Sequence, residues 1–100
     1  MARGKSSRKV KRQKVIFSLE AVDAEAVALM GDFNDWNPKK HPMQRDENGV
    51  WYKNLLLLPG KYEYKFMVDG RWQEDPQNEQ ICANRYGTYN NVFNLIPKAK

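Results

Sequence analysis

The chain has one cysteine, one histidine and no long apolar run. A single thiol, Cys82, rules out an intrachain disulfide, and a reducing compartment is the simpler expectation. No stretch approaches the roughly 20 apolar residues that a membrane-spanning helix needs. The N-terminus lacks the apolar segment and small-residue cleavage site of a secretory signal, so a cytoplasmic protein that does not enter a membrane is expected. His41 and Cys82 stand apart from any metal-ligand spacing or triad pattern. No metal or other cofactor is implied. Asp32, Asp35, Asp69 and Asp75 sit in turn-forming contexts that account for each of them without a catalytic carboxylate pair. No nucleophile, base and orienting group can be assembled, and a non-enzyme is expected.

What is present is the composition of a small soluble domain: 100 residues, 41% hydrophobic, 12% aromatic and 29% charged. That length suits one core, since two would each be marginal. The net charge of +5 invites a nucleic-acid reading, but its distribution is uneven. Arg3, Lys5, Arg8, Lys9, Lys11, Arg12 and Lys14 fall in residues 1–14 with no acid among them. The other ten basic side chains face twelve acidic ones, a net −2. The expected organisation is a disordered basic tail over 1–14, a mildly acidic domain over 15–97 and a short C-terminal tail over 98–100.

Within the domain, short strands alternate with turn signals. Val15, Phe17 and Leu19 share one face of a first strand, and Ala26 to Met30, ending at Gly31, suits a second strand better than a short helix through Ala21–Met30. A short extended piece at Met43–Arg45 precedes Asn48-Gly49, a hairpin signal. Val50 to Leu57 carries apolar residues on both faces, which predicts partial cover on each. Lys61 to Val68 alternates most clearly, with Tyr62, Tyr64, Phe66 and Val68 facing one way and Lys65 the other. Asp69-Gly70 predicts a turn with positive φ, followed by a return strand at Arg71–Gln73. Residues 74–91 read as a long polar connection, and Asn91 to Leu95 as the closing strand. This pattern predicts an all-β, antiparallel β-sandwich.

The segment Gly31-Asp32-Phe33-Asn34-Asp35-Trp36-Asn37-Pro38 places a large indole among turn formers, so Trp36 is expected on a surface loop as a ligand contact rather than folded over the sandwich edge. Trp72 follows the Asp69-Gly70 turn, and its spacing fits core and ligand contact equally. Trp51 reads as packing. Lys65 and the Thr88-Tyr89-Asn90-Asn91 stretch supply polar groups; Asn90 and Asn91 also fit a role in satisfying loop backbone. Aromatics with amides suit a sugar: an indole face packs on pyranose C–H groups, while amides and an ammonium replace water around the hydroxyls.

The ordered set Gly31–Trp36, Leu58–Trp72, Asp75-Pro76 and Gly87–Val92 resembles carbohydrate-binding module family 48, over nearly all of residues 15–96. That family includes the glycogen-binding domain of the AMP-activated protein kinase β-subunit and the N-terminal modules of isoamylases and branching enzymes. The resemblance implies an immunoglobulin-like sandwich that binds glycogen- or starch-like α-1,4-glucans. It implies that Trp36 and Trp72 stack on glucose rings, that Lys65 and Asn90 bond sugar hydroxyls, and that Thr88 is a further contact. Tyr86 occupies a position where such modules often insert a leucine beside the glucan. The expected partner is an α-glucan polysaccharide, with a glycogen-metabolising enzyme served in trans. The rival expectations are a protein-interaction sandwich without sugar affinity and nucleic-acid or anionic-surface binding through residues 1–14.

Overall fold

A computed structural model describes residues 11–97. Residues 1–10, which carry most of the expected basic tail, and residues 98–100 lie outside the described residues. Eight strands occur in chain order: β1 (Gln13–Glu20), β2 (Val27–Gly31), β3 (Gln44–Arg45), β4 (Val50–Leu57), β5 (Gly60–Val68), β6 (Arg71–Gln73), β7 (Ile81–Ala83) and β8 (Tyr89–Leu95). All pair antiparallel, in one sheet of order β1-β4-β3 and a second of order β2-β5-β8-β7 to which β6 adds beside β5. Strand β1 starts at Gln13, so the last two residues of the expected tail, Gln13 and Lys14, are paired with Leu57 and Leu56.

The two sheets form a sandwich over one core. Phe17 and Leu19 from β1, Trp51 and Leu57 from β4, and Val27, Leu29, Tyr64 and Phe66 from β2 and β5 are its buried members, with Ala24 and Met43 from the connections. Alternation along β1 and β5 builds this face, as the sequence predicts, because side chains two apart share a side of the pleat. Aromatic edges set much of the packing: Phe17 meets Tyr64 at 5.2 Å and 70°, and Phe93 at 5.6 Å and 72°. The helical alternative over Ala21–Met30 is not adopted. Val27 to Gly31 instead pairs with Val68 to Tyr64, which lets this short apolar run contribute buried residues to the sheet.

The outer face of β4 is partly covered, as expected: Val50 and Tyr52 are half-buried, while Leu56 and Ile16, which lies diagonally from it on β1, are each 62% exposed. One expectation changes. The long connection over 74–91 is broken by β7. Ile81 to Ala83 is too short to show periodicity, and pairing to Asn91, Asn90 and Tyr89 of β8 makes it a strand. The turns agree with the sequence. Gly49 has φ +82° where Gly49 N donates to Asp46 O at 3.1 Å, and Asp69 and Gly70 have φ +49° and +84° in the two-residue loop between β5 and β6. Asp69 does more than turn the chain, since its Oδ1 accepts from Glu25 N and Ala26 N and ties down the segment before β2.

The connection from β6 to β7 is held by polar groups at the core's end. Asn91, fully buried, accepts from Asp75 N at 2.7 Å and donates to Asp75 O and Asn78 O. The Tyr64 hydroxyl donates to Asp75 Oδ2 at 2.6 Å and accepts from Asn78 Nδ2 at 3.1 Å. Burial first, and then the bond to Asp75, push the Tyr64 pKa up, so the phenol stays protonated through the ordinary tyrosine range.

Candidate functional site

Strand β5 changes partners at Lys65. Its first half, to Tyr64, pairs with β8; from Phe66 onward the same edge pairs with β6. The outer face at this junction is therefore bordered by two different strands, and the loop after β2 reaches it from the opposite edge. Here an open cleft of about 660 Å³ is lined by Trp36, Lys65, Trp72, Tyr86, Thr88 and Asn90. All six residues singled out from the sequence thus meet in one place.

Trp36 is presented by a strained loop. Asp32 to Asn34 makes one 3-10 turn after β2, and Asp35 and Trp36 both follow with φ +57°. Left-handed backbone is costly for non-glycine residues, and here hydrogen bonds hold it. Trp36 N donates to Gly31 O and Asn34 Oδ1, both at 3.1 Å. Asn34 itself is buried: Nδ2 donates to Leu29 O at 2.8 Å, and Oδ1 accepts from Gly31 N. The two backbone donors settle which amide atom is oxygen, so Nδ2 also donates to His41 Nδ1 at 2.8 Å. His41 must be neutral to accept, and burial, then Lys53 and Lys40, lower its pKa in that direction. Asp32 clips the loop to β5 by accepting from Glu63 N at 2.9 Å, and its other oxygen accepts from the Trp36 indole N–H at 3.4 Å. Gly31 is required by close approach: a Cβ there would lie 2.8 Å from Glu63 O.

Trp72 stands across from Trp36. The rings are 6.2 Å apart at 65°, forming two walls of an angle rather than a flat stack. Trp72 is 52% exposed, which resolves the even reading of its spacing against core packing. Trp51 is buried in the core, with its indole N–H donated to Ala21 O at 2.9 Å. Between the walls lies Lys65. Its position opposite the core face agrees with the alternation, yet it is 5% exposed rather than solvated, because Trp72 and the β7–β8 turn close over it. Its ammonium lies 5.6 Å from the Trp72 ring centre and donates to Thr88 Oγ1 at 3.2 Å. Among the described residues it has no carboxylate partner.

The floor and far rim come from β8 and the β7–β8 turn. Asn90 is 8% exposed; its Nδ2 donates to Glu63 Oε1 at 3.0 Å and its Oδ1 accepts from Asn84 Nδ2 at 3.0 Å. Its bonds go to side chains, whereas Asn91 is the one that satisfies loop backbone. Tyr86, 80% exposed at the turn, has Arg85 5.7 Å from its ring centre. Glu63, Asn84 and Arg85 also line the cleft and were not singled out from the sequence. Glu63 was within reach, two residues before Lys65 on an alternating strand. Asn84 was hidden by the unread β7, without which Asn84–Gly87 does not stand out as a turn between strands.

The remaining candidates are structural. Cys82, a free thiol beside the cleft, has its pKa raised by burial and then by its hydrogen bond to Glu63. Asp35 pairs with Lys40 at 3.6 Å on the surface. Among the described residues no group of three or more His, Cys, Asp or Glu could hold a metal ion, and no helix is long and apolar enough to cross a membrane.

The chain is similar to known proteins over much of its length. The chain is 43% identical over 63 residues to Protein PTST homolog 2, chloroplastic, of Arabidopsis thaliana, which is 63% of this chain and 12% of that protein. It is 35% identical over 82 residues to Protein FLOURY ENDOSPERM 6, chloroplastic, of Oryza sativa subsp. japonica, 82% of this chain and 15% of that protein. It is 41% identical over 70 residues to 5'-AMP-activated protein kinase subunit beta-1 of Homo sapiens, 69% of this chain and 24% of that subunit. The chain therefore spans less than a quarter of the length of each of these relatives. The family described as the glycogen recognition site of AMP-activated protein kinase matches residues 14–99, and this chain belongs to it.

Proposed function

We propose that this protein is a non-catalytic module that binds glycogen- and starch-like α-1,4-glucans in the cleft, and that it brings a partner enzyme to the polymer. The observation that carries the reading is the pair of angled indoles, Trp36 and Trp72, with Lys65, Thr88 and Asn90 set between and beside them. An α-1,4-glucan is a curved chain with apolar C–H faces and a rim of hydroxyls. Two walls at 65° suit a curved ligand better than a flat one, and the polar groups between them supply partners for hydroxyls. Tyr86, exposed at the rim, adds apolar area beside the chain.

Membership in the glycogen-recognition family supports the ligand class, and relatives named as a kinase subunit support a role within a larger assembly. The cytoplasm is the compartment we propose, on the strength of the free Cys82 thiol; two relatives are named chloroplastic. One open platform gives weak binding, on the order of micromolar to millimolar, because ordering a flexible, hydrated sugar opposes association. Calorimetric titration with maltoheptaose, with a cello-oligosaccharide as control, tests the reading. Heat with the first and none with the second is the expected result. Heat with neither would favour a sandwich that serves protein contacts alone.

A further inference from the structure

Asn84 lies at the centre of the polar rim, and the chemistry of its neighbours fixes which way its amide points. The backbone N–H groups of Tyr86 and Thr88 meet one side-chain atom of Asn84 at 2.9 and 3.1 Å. Backbone N–H groups only donate, so that atom is Oδ1. The other atom is Nδ2, and it donates to Thr88 Oγ1 at 2.7 Å and to Asn90 Oδ1 at 3.0 Å. The far end of the chain of bonds agrees independently: the other amide atom of Asn90 meets the Glu63 carboxylate, an acceptor, and so must be Nδ2. Lys65 Nζ, which has no lone pair, donates to the same Thr88 oxygen.

These bonds leave a defined remainder. Thr88 Oγ1 already accepts twice, so its own proton is left for a ligand. Lys65 keeps N–H groups beyond the one given to Thr88, and Asn90 keeps a second N–H. Against these donors the three residues offer one free acceptor site, the second lone pair of Asn90 Oδ1. We propose that Asn84 is a positioning residue that sets the hydrogen-bond polarity of the cleft, so that Lys65, Thr88 and Asn90 meet the ligand chiefly as donors and select a glucan by its acceptor oxygens. This inference rests on the α-glucan reading above.

Asn84→Asp tests it. The substitution keeps an oxygen for the Tyr86 and Thr88 N–H groups, so the turn survives, but it replaces the donor to Thr88 and Asn90 with an acceptor. The Thr88 hydroxyl then turns to donate to the new carboxylate and is lost to the ligand. Maltoheptaose affinity at about pH 7 should fall about three- to ten-fold, the size of one or two neutral hydrogen bonds. Protonating the introduced carboxyl restores one donor, so the deficit relative to the unmodified protein should narrow as pH falls to about 4, across the ordinary carboxyl range. The charged and titratable groups around position 84 are Glu63 and Lys65 on β5, Cys82 on β7 and Arg85 and Tyr86 in the turn. They are common to both proteins, and each comparison is made at a single pH.

Equal affinity of variant and unmodified protein at both pH values would overturn the proposal. A deficit that stays constant with pH would also overturn it, in favour of simple support of the turn. If the variant does not fold, Thr88→Val and Thr88→Ser decide: valine should weaken binding by a similar factor and serine should retain it, and a valine variant that binds normally would sink the idea. An unmodified protein that binds no maltoheptaose would remove the α-glucan reading itself, a different failure from any of these.

Discussion

Asn90 and Asn91 are adjacent on β8 and belong to different parts of the molecule. Asn91 points inward, is fully buried and spends both ends of its amide on the backbone of Asp75 and Asn78. Asn90 points outward, bonds the side chains of Glu63 and Asn84, and keeps hydrogen-bonding capacity facing the cleft. The same side chain is scaffold in one position and lines the cleft in the next because a strand alternates its faces. Both networks are dense; the difference lies in what remains unbonded. An inner network that is complete rigidifies the fold, whereas an outer network with donors left over has something to offer a ligand.

Asn91→Ala should separate the two most sharply. It strands the Asp75 N–H and two carbonyls in a partly buried setting, at a cost of about 2–3 kcal/mol. For a domain of this size that is a fall of about 10–20 °C in Tm, readable by circular dichroism. A change under a few degrees would mean that the inner network is not what holds the β6–β7 connection.

The two indoles come next. Trp36→Ala and Trp72→Ala should each remove about 1.5–3 kcal/mol of apolar contact with a sugar, or about ten- to hundred-fold in maltoheptaose affinity. The β-signal in circular dichroism should persist. Unchanged co-sedimentation with glycogen in both variants would take the indoles out of the site, and loss of the fold would place them with the scaffold.

Asn90→Ala and Lys65→Met should act on binding with little effect on folding, the converse of Asn91→Ala. Each loses polar contacts worth about 0.5–1.5 kcal/mol of affinity. If Asn90→Ala lowers Tm as far as Asn91→Ala does, the contrast between the two faces fails.

The smallest effect concerns His41, which links the core to the Trp36 loop. Its folded pKa is lowered, so the stability it contributes is full above the unfolded value of about 6.5 and is lost as pH falls through and below that value. Protonated Nδ1 is no longer an acceptor for Asn34 Nδ2, and the Trp36 loop should loosen. A modest acid drop in Tm, absent in His41→Phe, is expected; an identical pH profile in the two proteins would detach His41 from the loop.

Several features were determined by the sequence alone. Alternation in β1 and β5 identified the core face, since period-two burial is a local property of a strand. Asp69-Gly70 announced its turn through the backbone conformation that residues of that type tolerate. The loop that carries Trp36 was legible because its residues are turn formers, although the indole itself is half-buried there. The tertiary structure decided what depends on pairing between distant segments. Lys65 is buried because Trp72 and the β7–β8 turn, which meet it only across the sheet, cover it. Strand β7 exists because β8 offers it an edge, not because three residues carry a pattern. Asn84 reads as an ordinary turn asparagine in the chain, and its hold on Thr88 and Asn90 arises only when the hairpin closes. Local conformation is encoded by nearest neighbours, whereas burial of a cation and the direction of a hydrogen bond are properties of groups brought together by the fold.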